Sequence, residues 1–147
     1  MVLTDITHPE ILKALASAGH GTHIVIADGH FPMATMPLQE TPKVYLNFAP
    51  GLLGTIDVLK ELVKVMPVEA VYAPVPDDGS EPTIFPEYRQ HIPQGLQIQK
   101  VKRFEFYDLV RSANTGLVIA TAEPRTYACI VLVMGIRVFS HHEGRPI

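Results

Sequence analysis

Histidine is the side chain whose ordinary titration lies nearest neutral pH, and His20 stands where that chemistry could be used. It is flanked by Gly19 and Gly21 just past a predicted helix. The apolar run Ile24-Val25-Ile26-Ala27 follows and ends in Asp28-Gly29-His30. A carboxylate at the end of a strand lies where open α/β sheets bind their ligands. An imidazole near a helix C-terminus could exchange protons near neutral pH. Each residue also has a plainer reading. His20 could cap the last carbonyls of the helix before it, and Asp28 could order an Asx turn.

His23 and His30 crowd the same segment, yet no metal site is expected. There is no helical His-x3-His pair, no Cys-x2-Cys and no Glu-x-x-His. Glycine-rich nucleotide loops and a Gly-x-Ser-x-Gly elbow are also missing. Cys129 lies in an apolar stretch, where a free cysteine is usually a small core hydrophobe rather than a nucleophile. His141 and His142 read as part of a solvated tail.

These residues need elements to hold them. Thr7-His8-Pro9-Glu10 reads as a helix start with Thr7 as N-cap and a capping box. Ile11, Leu12, Leu15 and Ala18 recur at helical spacing, and Gly19 is expected as the left-handed C-cap. Residues 24–27 read as a strand buried on both faces, followed by a long proline-punctuated loop. Strands are then expected over 43–48, 69–75, 97–102, 116–121 and 127–133. Helices are expected over 51–66, 87–91 and 103–113. Alternation of helices with fully buried strands predicts one domain, 1–147, with helices on both faces of a central, largely parallel sheet: a three-layer α/β/α class.

The chain has 147 residues, 47% of them hydrophobic, and a formal net charge of −3. That balance fits a globular protein and offers no basic face for nucleic acid. One cysteine cannot form an internal disulfide. Residues 1–10 carry neither a basic region nor an apolar run, and no segment is long enough to cross a bilayer. A soluble cytoplasmic protein with no membrane partner is expected.

Three blocks together are similar to the ribose-pyranase/fucose-mutarotase family. They are Gly19-His20-Gly21 with Ile24 to Pro32, then Arg103-Phe104-Glu105-Phe106-Tyr107, then Ala122-Glu123-Pro124-Arg125-Thr126-Tyr127-Ala128-Cys129-Ile130. The middle block resembles the fucose branch in particular. The resemblance implies cofactor-free interconversion of the anomers or ring forms of a free monosaccharide such as L-fucose. It also implies a homo-oligomeric ring, pentamers stacked as a decamer, with sugar sites near subunit contacts. By the same resemblance His20 is the catalytic histidine, and Asp28, Arg103 and Tyr127 bind sugar. Two positions depart from the pattern. Cys129 stands where Asn is usual, and Thr22 where an acidic residue is. A thiol donates and accepts only weakly compared with an amide, so a ribose-type pyranase and a non-catalytic sugar-binding module stand as alternatives.

Overall fold

The computed structural model describes residues 1–139; His141 and His142 lie outside the described residues. The chain runs α1 (Pro9–Ser17), β1 (His23–Ala27), β2 (Lys43–Tyr45), α2 (Thr55–Val65), β3 (Val68–Pro74), α3 (Phe85–His91), β4 (Ile98–Val101), α4 (Arg103–Val110), β5 (Thr115–Ala120) and β6 (Ile130–Met134). The six strands form one sheet in the order β2-β5-β1-β6-β3-β4.

Three of the pairings are parallel: β2 with β5, β5 with β1, and β3 with β4. β6 lies between β1 and β3 and runs antiparallel to both. Chain length explains the reversal. Residues 121–129 separate β5 from β6, whereas a parallel return needs a crossover of about a dozen residues or more. The sheet is therefore mostly parallel, with one strand against the grain near its middle.

Side chains alternate across a strand, and both faces of β1 are covered. Ile24 and Ile26 pack into a core with Ile11 of α1, Leu59 and Leu62 of α2, and Phe85 and Tyr88 of α3. Val25 and Ala27 pack on the other side with Phe31, Met33, and Phe106 and Val110 of α4. Helices thus cover both faces of the sheet, as the buried apolar strands predict.

Several boundaries differ from the sequence reading, each for a local reason. Proline at the first position of α1 keeps the residue before it extended. His8, not Thr7, is consequently the N-cap, and its Nδ1 accepts from the Ile11 N–H at 3.4 Å. The helix ends because Ala18 turns extended, and the left-handed glycine is Gly21 rather than Gly19. α2 begins at Thr55 rather than Gly51, since Gly51 has φ of 82°. Gly54 N–H instead donates to the Asp57 carboxylate at 2.8 Å. β2 stops at Tyr45, well short of Phe48. α4 stops at Val110, and β6 starts at Ile130, leaving Tyr127 and Cys129 in the connection before it.

Candidate functional site

Asp28 leaves the carboxyl end of β1, and the connection 121–129 folds back over it. Its two carboxylate oxygens are both occupied by backbone. Oδ1 accepts from His30 N–H at 2.9 Å and Oδ2 from Ala128 N–H at 3.0 Å. The Asp28 N–H donates to Cys129 Sγ at 3.2 Å. Asp28 is 6% exposed and Cys129 4% exposed. The Asx-turn reading of Asp28 is therefore correct, and the same carboxylate also staples the two loops of the site together.

Tyr127 adopts φ of 53°, the left-handed region that bulky side chains avoid. Such a backbone costs about 1–3 kcal/mol and persists only where the surroundings over-determine it. They do so here on the C-terminal side. Ala128 N–H is held by Asp28, and the Ala128 carbonyl accepts from Thr55 Oγ1 at 2.8 Å. The Cys129 carbonyl accepts from the buried Tyr88 hydroxyl at 3.0 Å. On the N-terminal side Arg125 Nε donates to Glu123 at 2.8 Å, and its guanidinium also reaches Glu87 of α3. Burial pushes the Glu123 carboxyl up. Arg125 and the backbone N–H groups of Arg125 and Thr55 more than offset this, and the net position is below the usual carboxylate range.

α4 closes the other side. Arg103 and Tyr107 lie one turn apart on one helix face, and Arg103 Nε donates to Tyr107 Oη at 3.0 Å. Tyr107 meets Phe31 edge-on at 5.9 Å between ring centroids. The result is a cavity of about 240 Å³ lined by Asp28, His30, Arg103, Tyr107, Tyr127 and Cys129, with Phe31, Phe106 and Pro74 as its apolar wall. Small-molecule sites combine such a wall with a few convergent polar groups. Burial, followed by the Asp28 carboxylate, pushes the Cys129 thiol well up, so it stays protonated at neutral pH. His30 Nε2–H donates to the Pro124 carbonyl at 3.0 Å, so its Nδ1 carries the lone pair when the ring is neutral.

Four of the five residues expected at the site thus meet in one cavity: Asp28, Arg103, Tyr127 and Cys129. His20 does not join them. It lies beyond the amino end of β1, and the strand puts about 13 Å between its two ends at ~3.3 Å per residue. There His20 Nε2 lies 2.8 Å from the Glu69 carboxylate. A larger cavity, about 700 Å³, adjoins it and includes Lys43. Size does not make this the better site, because Lys43 Nζ already donates to the carbonyls of Leu38, Gln39 and Thr41. Tyr107 and His30 were not singled out as sugar ligands from sequence, although the spacing of Arg103 and Tyr107 gave a usable signal for the first. Among the described residues no group of three or more His, Cys, Asp or Glu side chains converges as a metal centre would require.

Residues 1–137 match the RbsD / FucU transport protein family. The chain belongs to that family. It is 31% identical over 141 residues to the human fucose mutarotase, with 87% of this chain and 88% of the relative covered. The fold of Bacillus subtilis RbsD complexed with D-ribose superposes with a TM-score of 0.78 at 27% identity, covering 94% of this chain and all of that one. The fucose mutarotase of Streptococcus pneumoniae in complex with L-fucose gives 0.77 at 26% identity, covering 91% and 96%. No helix among the described residues is long and apolar enough to cross a membrane.

Proposed function

We propose that this family member is a monosaccharide mutarotase. It interconverts the anomers of free L-fucose or a similar sugar by opening and reclosing the hemiacetal ring. The observation that carries this reading is the meeting of Asp28, Arg103, Tyr127 and Tyr107 in one small cavity with an apolar wall. The reaction needs one group to take the anomeric hydroxyl proton and another to protonate the ring oxygen. Positioned acids and bases supply typically about 10²–10⁴-fold in rate.

The geometry supports distinct roles. A carboxylate offers about four lone-pair sites. Backbone N–H groups occupy one on each Asp28 oxygen, which leaves the others for sugar hydroxyls. Arg103 offers its planar fork of donors to the hydroxyls. Tyr127 donates to, or relays through, the ring or anomeric oxygen. Cys129 contributes a weak S–H donor in place of an amide.

His20 is the principal proton-transfer group in this reading, and it reaches the sugar from a neighbouring copy of the chain. The surface carrying His20 and the surface carrying the cavity are different parts of the subunit. Contact between unlike surfaces is head-to-tail, and it closes into a ring when the rotation allows. A ring oligomer, a pentamer or stacked pair of pentamers, satisfies this. Tyr45, Phe48, Leu52 and Leu53 expose apolar area beside the same end of the sheet, as a subunit contact requires. Such an enzyme, with one unpaired cysteine, belongs in the cytoplasm.

A second reading is favoured by the position of His30. Among the described residues it is the one imidazole lining the cavity, and its Nδ1 is free of the Pro124 contact. In that case the single chain would hold its own proton-transfer group. Saturation-transfer NMR on equilibrated L-fucose, with D-ribose in parallel, separates the readings. His20→Gln and Arg103→Ala are measured alone and after subunit mixing. Loss in each variant, with recovery toward about a quarter of wild-type exchange in equal mixtures, supports the shared site of a head-to-tail ring. Full activity of His20→Gln sinks the His20 assignment and points to His30. Exchange with D-ribose alone indicates the pyranase, and saturable binding without exchange indicates a binding module.

A further inference from the structure

We infer that α3 positions Tyr127 for the reaction through two consecutive residues, Glu87 and Tyr88. They grip the chain at Arg125 and at Cys129, on either side of Tyr127, and so aim its hydroxyl. This rests on the reading of Tyr127 as the group acting on the ring or anomeric oxygen, and it assigns the residues that hold that group in place.

Each grip is a hydrogen bond to a specific atom. Before Tyr127, the Arg125 guanidinium reaches the Glu87 carboxylate through Nη1. After it, the Tyr88 hydroxyl donates to the Cys129 carbonyl at 3.0 Å. Burial pushes that hydroxyl well above its ordinary value, so it stays a donor at neutral pH. Glu123 backs the first grip. Its carboxylate accepts from Arg125 Nε at 2.8 Å, from Arg125 Nη2 at 3.3 Å and from Thr55 N–H at 3.3 Å. The guanidinium thus lies between two carboxylates, one on its own loop and one on α3.

Between the grips Tyr127 holds its φ of 53°. A bulky residue persists in that region only where its surroundings over-determine it. α3 is suited to that task, because its inner face belongs to the core. Ile84 at its N-cap, Phe85 and Tyr88 are fully buried, and the Phe85 and Tyr88 rings lie 5.5 Å apart between centroids. Supports whose rotamers are locked by packing hold a site residue in a productive geometry. Stability alone does not account for the Glu87 half of the clamp. The Arg125 and Glu87 side chains are 35% and 42% exposed, and ion pairs near the surface contribute little to folding.

The test is a double-mutant cycle read by saturation-transfer exchange of L-fucose. Glu87→Gln and Tyr88→Phe are made in wild type and again in Tyr127→Phe. In wild type each is expected to lower kcat about 10-fold with KM unchanged, the scale of loss from a mis-aimed reacting group. In Tyr127→Phe, already slowed, neither is expected to lower kcat further. Gel filtration and urea unfolding accompany each variant. Tyr88→Phe leaves the buried Cys129 carbonyl unpaired and lowers stability. Glu87→Gln replaces a half-exposed side chain and keeps the fold, so it carries the test if Tyr88→Phe does not assemble. Equal losses in both backgrounds would mean a merely structural role and overturn the inference, as would an unchanged kcat or a change confined to KM. Full activity of Tyr127→Phe would instead sink the role given to Tyr127, and the inference with it.

Discussion

Replacing Asp28 by Asn tests the idea that its carboxylate holds the site together before any sugar arrives. The side chain accepts two backbone N–H groups, His30 on one oxygen and Ala128 on the other. A buried hydrogen bond to a charged acceptor contributes about 1.5–3 kcal/mol. Asn keeps one acceptor oxygen, so one of these bonds survives in weaker, neutral form. The other N–H then faces an amide NH2, a donor against a donor, and a buried polar group left unpaired costs about 1–3 kcal/mol. Together the two losses come to about 2–4 kcal/mol. With a urea m-value of about 2 kcal/mol per molar, the midpoint should fall by roughly 1–2 M at unchanged m. The assay is urea unfolding followed by tyrosine fluorescence and far-UV circular dichroism, at one protein concentration, because assembly makes the midpoint concentration-dependent. A midpoint within 0.2 M of wild type would refute the reasoning and leave Asp28 as a sugar ligand only.

Other perturbations read other parts of the structure. Burial pulls the His23 imidazole below its ordinary value, with a partial offset from the Leu109 backbone. The fold therefore prefers neutral His23: its contribution is complete above about pH 6.5 and is lost as pH falls through the lower folded value. Thermal melts from pH 8 to 5 should show that loss in wild type and less of it in His23→Leu; equal slopes would contradict it. Gly116 occupies a bulge of β5, where a Cβ would meet Thr22 Cγ2 at 2.6 Å. Gly116→Ala should cost about 1–3 kcal/mol, and Thr22→Ser in the same chain should recover much of it, both read by urea midpoint. Cys129, buried and held protonated, should resist a thiol reagent at pH 7 in the folded protein and react at once in 6 M guanidinium. Cys129→Asn offers the sugar a full amide donor and acceptor, and should tighten its binding by about 0.5–1.5 kcal/mol, read by calorimetric titration.

Local chemistry was easy to read from the chain and long-range geometry was not. Ile24 to Ala27 declare a doubly covered strand through four consecutive apolar residues, and the structure buries all four. Pro9 marks the start of α1 within one residue. The direction of β6 was harder, because it depends on the length of the 121–129 connection rather than on any residue in the strand. Composition alone leaves Cys129 a core hydrophobe; its place at the cavity comes from the Asp28 N–H, distant in sequence and adjacent in space. The Glu69 partner of His20 was invisible, since no short motif spans residues 20 to 69. The resemblance grouped His20 with Asp28, and only the sheet reveals that β1 holds them apart.

The position of β1 also bears on how the chain folds as it is made. β1 pairs only with β5 and β6, the last two strands in sequence. Both of its hydrogen-bonding edges therefore stay open until residues 115–134 have left the ribosome. At about 5–20 residues per second, the hundred or so residues in between take on the order of 5–20 s to synthesise. Throughout that interval Ile24, Val25 and Ile26 form an apolar, β-prone segment with no native neighbour. Long-range pairing of this kind is slow and exposes the chain to aggregation. The histidine and carboxylate that flank β1 are specified within the first thirty residues, yet the cavity becomes whole only when nearly all of the chain has emerged.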